Sequence, residues 1–105
     1  MIRKTLIVPR GDTLCFGLKI DGIDQNLSTA YFSVSETYGP PYILQKSLED
    51  GITDNGNGEY IVRVDPSDTT NQAIGQYNYD LQIGVGDDIF TVMKGPFVIE
   101  RDITV

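Results

Sequence analysis

Histidine and tryptophan are absent from this sequence of 105 residues, and cysteine occurs once. A single cysteine excludes an intramolecular disulfide, and the lack of histidine excludes Cys/His zinc sites and histidine-based catalytic triads. No apolar run approaches the ~20 residues that a membrane-spanning helix requires, so we expect no membrane partner. Residues 1–10 lack the apolar segment and cleavage site of a signal peptide, and none is expected.

Basic residues are also scarce, since eight Lys and Arg stand against 15 Asp and Glu for a formal net charge of −7. We expect no nucleic-acid partner, because binding of that kind depends on clustered Lys and Arg that neutralise phosphates. Arg3, Lys4 and Arg10 nevertheless lie in the first ten residues with no acid among them. This segment either carries ordinary edge-strand charge, which blocks unwanted pairing, or is an interaction surface for another copy of the chain.

The main pattern along the sequence is an alternation of apolar and polar residues with period two, which is typical of β-strands. Helical periodicity is nearly absent. Short strands separated by turns at this spacing are typical of an antiparallel sandwich or a small barrel. We predict one all-β domain over residues 1–105, an antiparallel two-sheet immunoglobulin-like β-sandwich of seven to nine strands. The predicted strands cover 2–8, 13–20, 29–36, 42–47, 59–65, 76–85, 89–94 and 97–103.

A polar corner before the longest strand favours the sandwich over the barrel. Residues 65–71 predict one helical turn with Pro66 near its start. The chain then enters the strand at Tyr77, a pattern that resembles the tyrosine corner of such sandwiches. We expect the Tyr77 hydroxyl to bond to the backbone within residues 68–73. Tyr79 stands where antibody domains keep their second cysteine, so packing alone is expected to hold the core.

Reactive groups are few, and carboxylates are the only abundant ones. Nearly all Asp residues fall in predicted turns, where the side chain bonds to its own backbone. Glycoside hydrolysis needs two carboxylates across a cleft, one of them with a raised pKa, and the sequence gives no sign of such a pair. Cys15 has no histidine to activate it, and an unpaired cysteine favours synthesis in a reducing compartment. We therefore expect no enzymatic activity, no catalytic residue and no cofactor.

One loop offers oxygen ligands of the kind that calcium prefers. Its spacing lacks the alternating acidic pattern of a known calcium loop, and a tight Asn-Gly hairpin accounts for the same residues. We predict no metal site and leave calcium binding in this loop open. The residues concerned are Asp50, Asp54, Asn55, Asn57 and Glu59.

A stiff, aromatic-flanked loop is the second candidate surface. It reads Tyr38-Gly39-Pro40-Pro41-Tyr42, a composition suited to contacts with sugars or with another protein. The alternative is a rigid connection whose aromatic rings cover one end of the sandwich. Tyr31 belongs with these tyrosines as a residue outside the predicted core. The candidate interaction residues are therefore Arg3, Lys4, Arg10, Tyr38, Pro40, Pro41 and Tyr42.

Short turn and strand-start motifs follow one another in a distinctive order along nearly the whole chain. They include Pro9-Arg10-Gly11-Asp12-Thr13, Leu18-Lys19-Ile20-Asp21-Gly22, Asn57-Gly58-Glu59-Tyr60, Gly75-Gln76-Tyr77-Asn78-Tyr79 and Gly95-Pro96-Phe97-Val98-Ile99. The ordered set resembles the N-terminal domain of bacteriophage baseplate upper proteins and related immunoglobulin-like virion domains.

That resemblance implies a non-enzymatic phage or prophage structural protein of tail or baseplate type. Such a protein would be made in the bacterial cytoplasm and built into the virion. There it would act as a protein–protein interaction module that binds other phage structural proteins or copies of itself. The alternative is a carbohydrate-binding or adhesion module on a phage or bacterial surface.

Overall fold

The computed structural model describes residues 1–20, 27–37, 39–56 and 58–102. In these ranges the protein is all-β, with nine strands and one short helix. The strands are β1 (Ile2–Arg3), β2 (Leu6–Pro9), β3 (Leu14–Lys19), β4 (Thr29–Ser35), β5 (Leu44–Leu48), β6 (Gly51–Gly56), β7 (Glu59–Val64), β8 (Gly75–Val85) and β9 (Asp88–Glu100), and helix α1 (Pro66–Thr69) lies between β7 and β8.

Period-two alternation sorts the side chains of each strand onto two faces. On β4, Phe32 and Val34 are buried whereas Tyr31 is exposed, and β8 buries its apolar positions in the same way. Alternation predicts that Ala30, Phe32 and Val34 face inward on β4, and their burial confirms this prediction. The buried apolar residues are Leu6, Val8, Ala30, Phe32, Val34, Leu44, Ile52, Tyr60, Val62, Val64, Tyr77, Tyr79, Leu81, Ile83, Met93, Phe97 and Ile99.

The sheet curls so that strand β3, at one end of the order, packs against β4 across this core. Its hydrogen-bonded order is β1-β9-β8-β4-β5-β6-β7-β3, and β2 also pairs with β9. Phe16 on β3 lies 5.6 Å, edge to face, from Phe32 on β4, although three strands separate β3 from β4 in that order. Phe32 also contacts the Tyr79 and Phe97 rings, at 5.5 and 6.2 Å between centroids. Three buried rings, those of Phe32, Tyr79 and Phe97, thus form the centre of the core, and the partly buried Phe16 packs against them.

Strand directions correct part of the fold prediction, because the sheet is mixed and not purely antiparallel. β1 and β2 run parallel to β9, and β5 runs parallel to β6. The β5–β6 pair needs no long crossover, since its register joins only Ser47 to Gly51 and Leu48 to Ile52. The short connection between the two strands has positive φ angles at Glu49 (65°) and Gly51 (100°). Alternation identifies the face of a residue but carries no information on strand direction.

Strand β6 is not among the predicted strands, and the turn predicted at Asn55-Gly56 overlaps its second half. Ile52 is its only buried residue, and Thr53 to Gly56 are exposed. A polar strand of this kind has no alternation to reveal it.

β9 is one strand of 13 residues and not the two strands predicted on either side of Gly95-Pro96. The predicted first strand is instead divided into β1 and β2. Register pairs with β9 end at Arg3–Lys94 and resume at Leu6–Phe97. Pro96, which has no N–H to donate, therefore lies opposite the gap in the first strand and interrupts the ladder there. The predicted end of the last strand at 103 lies outside the described residues.

The predicted corner is confirmed at both of its features. Helix α1 is a single turn that begins at Pro66, and the Tyr77 hydroxyl donates a 2.6 Å hydrogen bond to the Ala73 carbonyl. The buried hydroxyl of Thr69 accepts a bond of 2.9 Å from the Gly11 N–H, which joins the corner to the turn after β2.

A largely buried ion pair ties β5 to the same corner. The Lys46 ammonium lies 2.8 Å from the Asp68 carboxylate and 3.6 Å from that of Asp65. Burial by itself would lower the pKa of Lys46, but the two carboxylates outweigh it and the pKa is raised. Arg63 adds a 2.8 Å bond from its Nε to Asp65. This network joins β5 and β7 to the crossing between β7 and β8.

Candidate functional site

The outer face of β4, β5 and β8 carries a groove of about 360 Å³. Tyr31 and Tyr42 border it, and both rings are about two-fifths exposed. We call it the Tyr31–Tyr42 groove. Its lining consists of Tyr31, Ser33, Tyr42, Gln45, Asp80 and Gln82.

Strand register brings these residues together from three separate parts of the chain. Ser33 on β4 is in register with Gln45 on β5 and with Asp80 on β8. Tyr31 is in register with Gln82. Because Phe32 faces the core between them, Tyr31 and Ser33 both face outward, and paired residues on neighbouring strands share that face.

The floor of the groove is polar and partly preorganised. Gln45 Nε2 donates a 2.9 Å hydrogen bond to the Ser33 hydroxyl. Asp80 is half-buried, and this burial raises the pKa of its carboxyl, whereas Lys94 in the register position on β9 acts in the opposite direction. The carboxylate thus lies in a drier environment than the turn aspartates.

Among the described residues of the predicted aromatic loop, Tyr42 alone lines the groove. Pro40 and Pro41 are exposed in the loop that precedes it and are not part of the lining. Tyr38 lies outside the described residues. The partners that give the groove its polarity, Gln45, Asp80 and Gln82, were not singled out from the sequence. The sequence feature that could have identified them is their position, because they are polar residues on the outward face of strands close to Tyr31.

The three basic residues near the N-terminus do not form one patch. Arg3 and Lys4 share a depression of about 320 Å³ with Lys94, which the sequence analysis did not associate with them. Arg10 lies beyond the other end of β2, where its guanidinium is 3.7 Å from the Asp102 carboxylate. β1 and β2 pair with β9 alone within the described ranges, so these residues lie along a sheet edge.

Exposed apolar side chains concentrate along the same edge. Of the eight large hydrophobic residues exposed in the described part of the chain, five lie on or next to β1, β2 and the beginning of β9. Ile89 is 73% exposed and Phe90 is 48% exposed. We call this area the N-terminal edge surface. It comprises Met1, Ile2, Arg3, Lys4, Ile7, Ile89 and Phe90.

The acidic residues considered for calcium lie partly on strand β6, which contains Asp54 and Asn55. The Asp54 carboxylate accepts a 2.8 Å hydrogen bond from the Gly56 N–H. Among the described residues no group of three or more acidic, cysteine or histidine side chains is placed to hold a metal ion. Asn57 lies outside the described residues.

No helix in the described ranges is long and apolar enough to cross a membrane.

No protein-family model matches the chain, and no curated protein matches it. Similar folds occur among solved structures. The chain is similar to part of the endo-β-1,4-mannanase from Thermotoga petrophila, with a TM-score of 0.57, 16% identity and 90% of this chain covered. It spans only 18% of the mannanase chain, so the similarity concerns the fold of one part of that protein. The extracellular domain of the voltage-gated sodium channel β4 subunit aligns with a TM-score of 0.48 and 11% identity, over 96% of this chain and 93% of that one.

Proposed function

We propose that the curled sheet is an immunoglobulin-like sandwich. Its strand order divides into β1/β2-β9-β8-β4-β5 and β6-β7-β3, which only two register pairs between β5 and β6 connect. The inner faces of the two groups pack against each other, as the Phe16–Phe32 contact indicates. The hydrogen bond from Tyr77 to Ala73 supports the same assignment, because tyrosine corners are a feature of such sandwiches.

We propose further that this domain is a non-enzymatic structural protein of a phage or prophage, of tail or baseplate type. It works by binding other phage structural proteins or copies of itself. The ordered motifs that resemble phage baseplate domains support a role in a phage particle. The N-terminal edge surface supports binding to other proteins as the way in which the domain works. That surface is the observation that carries the proposal.

Two properties of the N-terminal edge surface suit a protein interface. The first is exposed apolar surface, since five large hydrophobic side chains on or next to these strands face water. Arg3 and Lys4 lie beside them, although the chain as a whole carries a net charge of −7. A basic edge is therefore attracted to the acidic body of a neighbouring copy or of an acidic partner, and such complementarity sets orientation and association rate.

Light scattering on charge variants tests the interface. We expect the wild type to show a concentration-dependent rise in mass, and the variant Arg3→Glu/Lys4→Glu to show less of it. The matched control is Lys19→Glu/Arg101→Glu, which makes the same charge change at exposed positions outside the N-terminal edge surface. An equal loss in both variants would mean that net charge, and not this surface, controls association.

Mass spectrometry of purified phage particles tests whether the protein is a component of the virion. Phage particles would be prepared after prophage induction in a strain that carries the gene. We expect this chain at a copy number comparable to that of the other tail proteins. Its absence from intact particles would contradict a virion component.

A second candidate function is carbohydrate binding or adhesion on a phage or bacterial surface. The Tyr31–Tyr42 groove favours it, because aromatic rings beside a polar floor are suited to sugars. The first function uses an edge of the sheet and the second its outer face, so the two do not exclude each other.

A further inference from the structure

The walls of the Tyr31–Tyr42 groove present apolar surface to a ligand. Tyr31 and Tyr42 are 41% and 42% exposed, so a substantial part of each side chain remains in contact with water. Tyrosine combines a large apolar ring with a polar hydroxyl, which makes it suited to ligands that are apolar on one face and polar at the rim. A pyranose ring has this character, with C–H groups on its faces and hydroxyls around its edge.

The floor supplies hydrogen-bonding groups of matching kinds. The Gln45 and Gln82 carboxamides each both donate and accept, and the Asp80 carboxylate accepts. Sugar hydroxyls likewise donate and accept. The Gln45–Ser33 bond of 2.9 Å holds one of these amides in place before a ligand arrives, which lowers the entropy cost of binding.

Charge in the groove selects against anionic ligands. Among the described residues, Asp80 is the only charged one in its lining, and the chain carries a net charge of −7. Lys94 acts on Asp80 from β9 but does not line the groove. A phosphate, sulfate or uronate group would therefore meet a carboxylate with no cation facing it in the lining.

We propose that the Tyr31–Tyr42 groove binds an uncharged oligosaccharide. The two rings pack against sugar faces, and Asp80, Gln45 and Gln82 bond to hydroxyls. The volume of about 360 Å³ lies within the range of small-ligand sites, so the groove accommodates a short segment of a longer glycan. This inference rests on the second function proposed above and adds to it the residues and the chemical class of the ligand.

Isothermal titration calorimetry with defined probes tests the class. The uncharged probes are mannohexaose, cellohexaose and chitohexaose, and hexagalacturonic acid is the anionic comparison. We expect binding of at least one uncharged hexasaccharide and weaker or no binding of the anionic one. Tyr31→Ala and Tyr42→Ala should each weaken binding about tenfold or more, whereas Tyr31→Phe, which keeps the ring, should stay within about threefold of the wild type.

Matched variants on one strand test the polar floor. Gln82→Ala removes an amide from the groove, whereas Gln76→Ala removes one from the same face of β8 outside the lining. We expect weaker binding in the first and wild-type binding in the second. Asp80→Asn should also weaken binding, and circular dichroism checks that each variant is folded.

The possible outcomes distinguish a failure of the proposed binding site from a failure of the proposed carbohydrate-binding function. Glycan binding that persists in all the groove variants would keep the carbohydrate-binding function and overturn this site. A preference for hexagalacturonic acid would overturn the ligand class. No binding to any probe would overturn both the site and the carbohydrate-binding function, while the assembly function would still be decided by particle composition.

Discussion

The hydroxyl of Tyr79, on a ring buried in the centre of the core, donates a hydrogen bond of 2.6 Å to the backbone carbonyl of Lys4. Lys4 lies between β1 and β2, where the register pairs with β9 are interrupted. Gly95 approaches the same carbonyl so closely that a Cβ at this position would overlap with it. The N-terminal edge surface is therefore held at its midpoint by a core side chain and a glycine.

Replacing Tyr79 by Phe should destabilise the fold by about 1–2 kcal/mol, because the partly buried Lys4 carbonyl loses its donor while the ring packing is kept. Urea denaturation measures the change in unfolding free energy. Tyr31→Phe is the control, because the Tyr31 side chain is exposed and the loss of its hydroxyl should not change the unfolding free energy measurably. Equal stability of Tyr79→Phe and the wild type would show that the bond does not contribute.

Gly95→Ala should release the first strand from β9. Its Cβ would collide with backbone, which cannot move aside as the end of a flexible side chain can. Limited trypsin digestion reads this out, because exposed Arg3 and Lys4 become cleavable when the edge detaches. Gly75→Ala is the matched control, since its φ of 155° is nearly that of Gly95 (158°) but nothing lies within 4 Å of the added Cβ. If both variants were cleaved equally fast, the detachment would result from backbone strain at the substituted glycine and not from a collision with the Lys4 carbonyl.

Asp68→Asn should destabilise the protein by roughly 2–3 kcal/mol, somewhat below the range for a fully buried pair. The reason is that the Lys46 ammonium, whose side chain is only 11% exposed, loses the carboxylate at 2.8 Å and keeps only Asp65 at 3.6 Å. Thermal and urea unfolding measure the loss. Lys19→Met, which removes an exposed cation from β3, should change stability little.

Asp65 and Asp80 should respond to pH in opposite directions. The Arg63 hydrogen bond, with help from Lys46, lowers the pKa of Asp65 below its unfolded value of about 3.9. Ionised Asp65 therefore stabilises the fold above that pH, and this contribution is lost as the pH falls through the folded pKa. Asp65→Asn should accordingly be less stable than the wild type at pH 7, with the difference fading in acid.

For Asp80, burial raises the pKa, with Lys94 as the opposing charge. Ionisation therefore destabilises the fold, and the penalty grows as the pH rises from the unfolded value towards the raised folded one. Asp80→Asn should melt slightly higher than the wild type at pH 7 and equal it below about pH 4. A melting temperature lower than that of the wild type at pH 7 would contradict a net burial penalty.

Local pattern was enough where one rule governed the residues. Alternation assigned Phe32 and Val34 to the core, because successive side chains of a strand must face opposite ways. The corner was also local, since Pro66 begins a helical turn and Tyr77 bonds to a carbonyl four residues before it. Such contacts depend on short spacings that can be counted along the chain.

The sequence alone therefore determined the all-β class, the faces of the main strands and the corner before β8, because each follows from neighbouring residues. Tertiary structure alone decided what depends on partners far apart in the chain. It set the parallel pairing of β1 and β2 with β9, kept β9 continuous through Pro96, and separated Arg10 from Arg3 and Lys4. It also assembled the Tyr31–Tyr42 groove, since register between β4, β5 and β8 places Asp80 and Gln82 beside residues about 50 positions earlier.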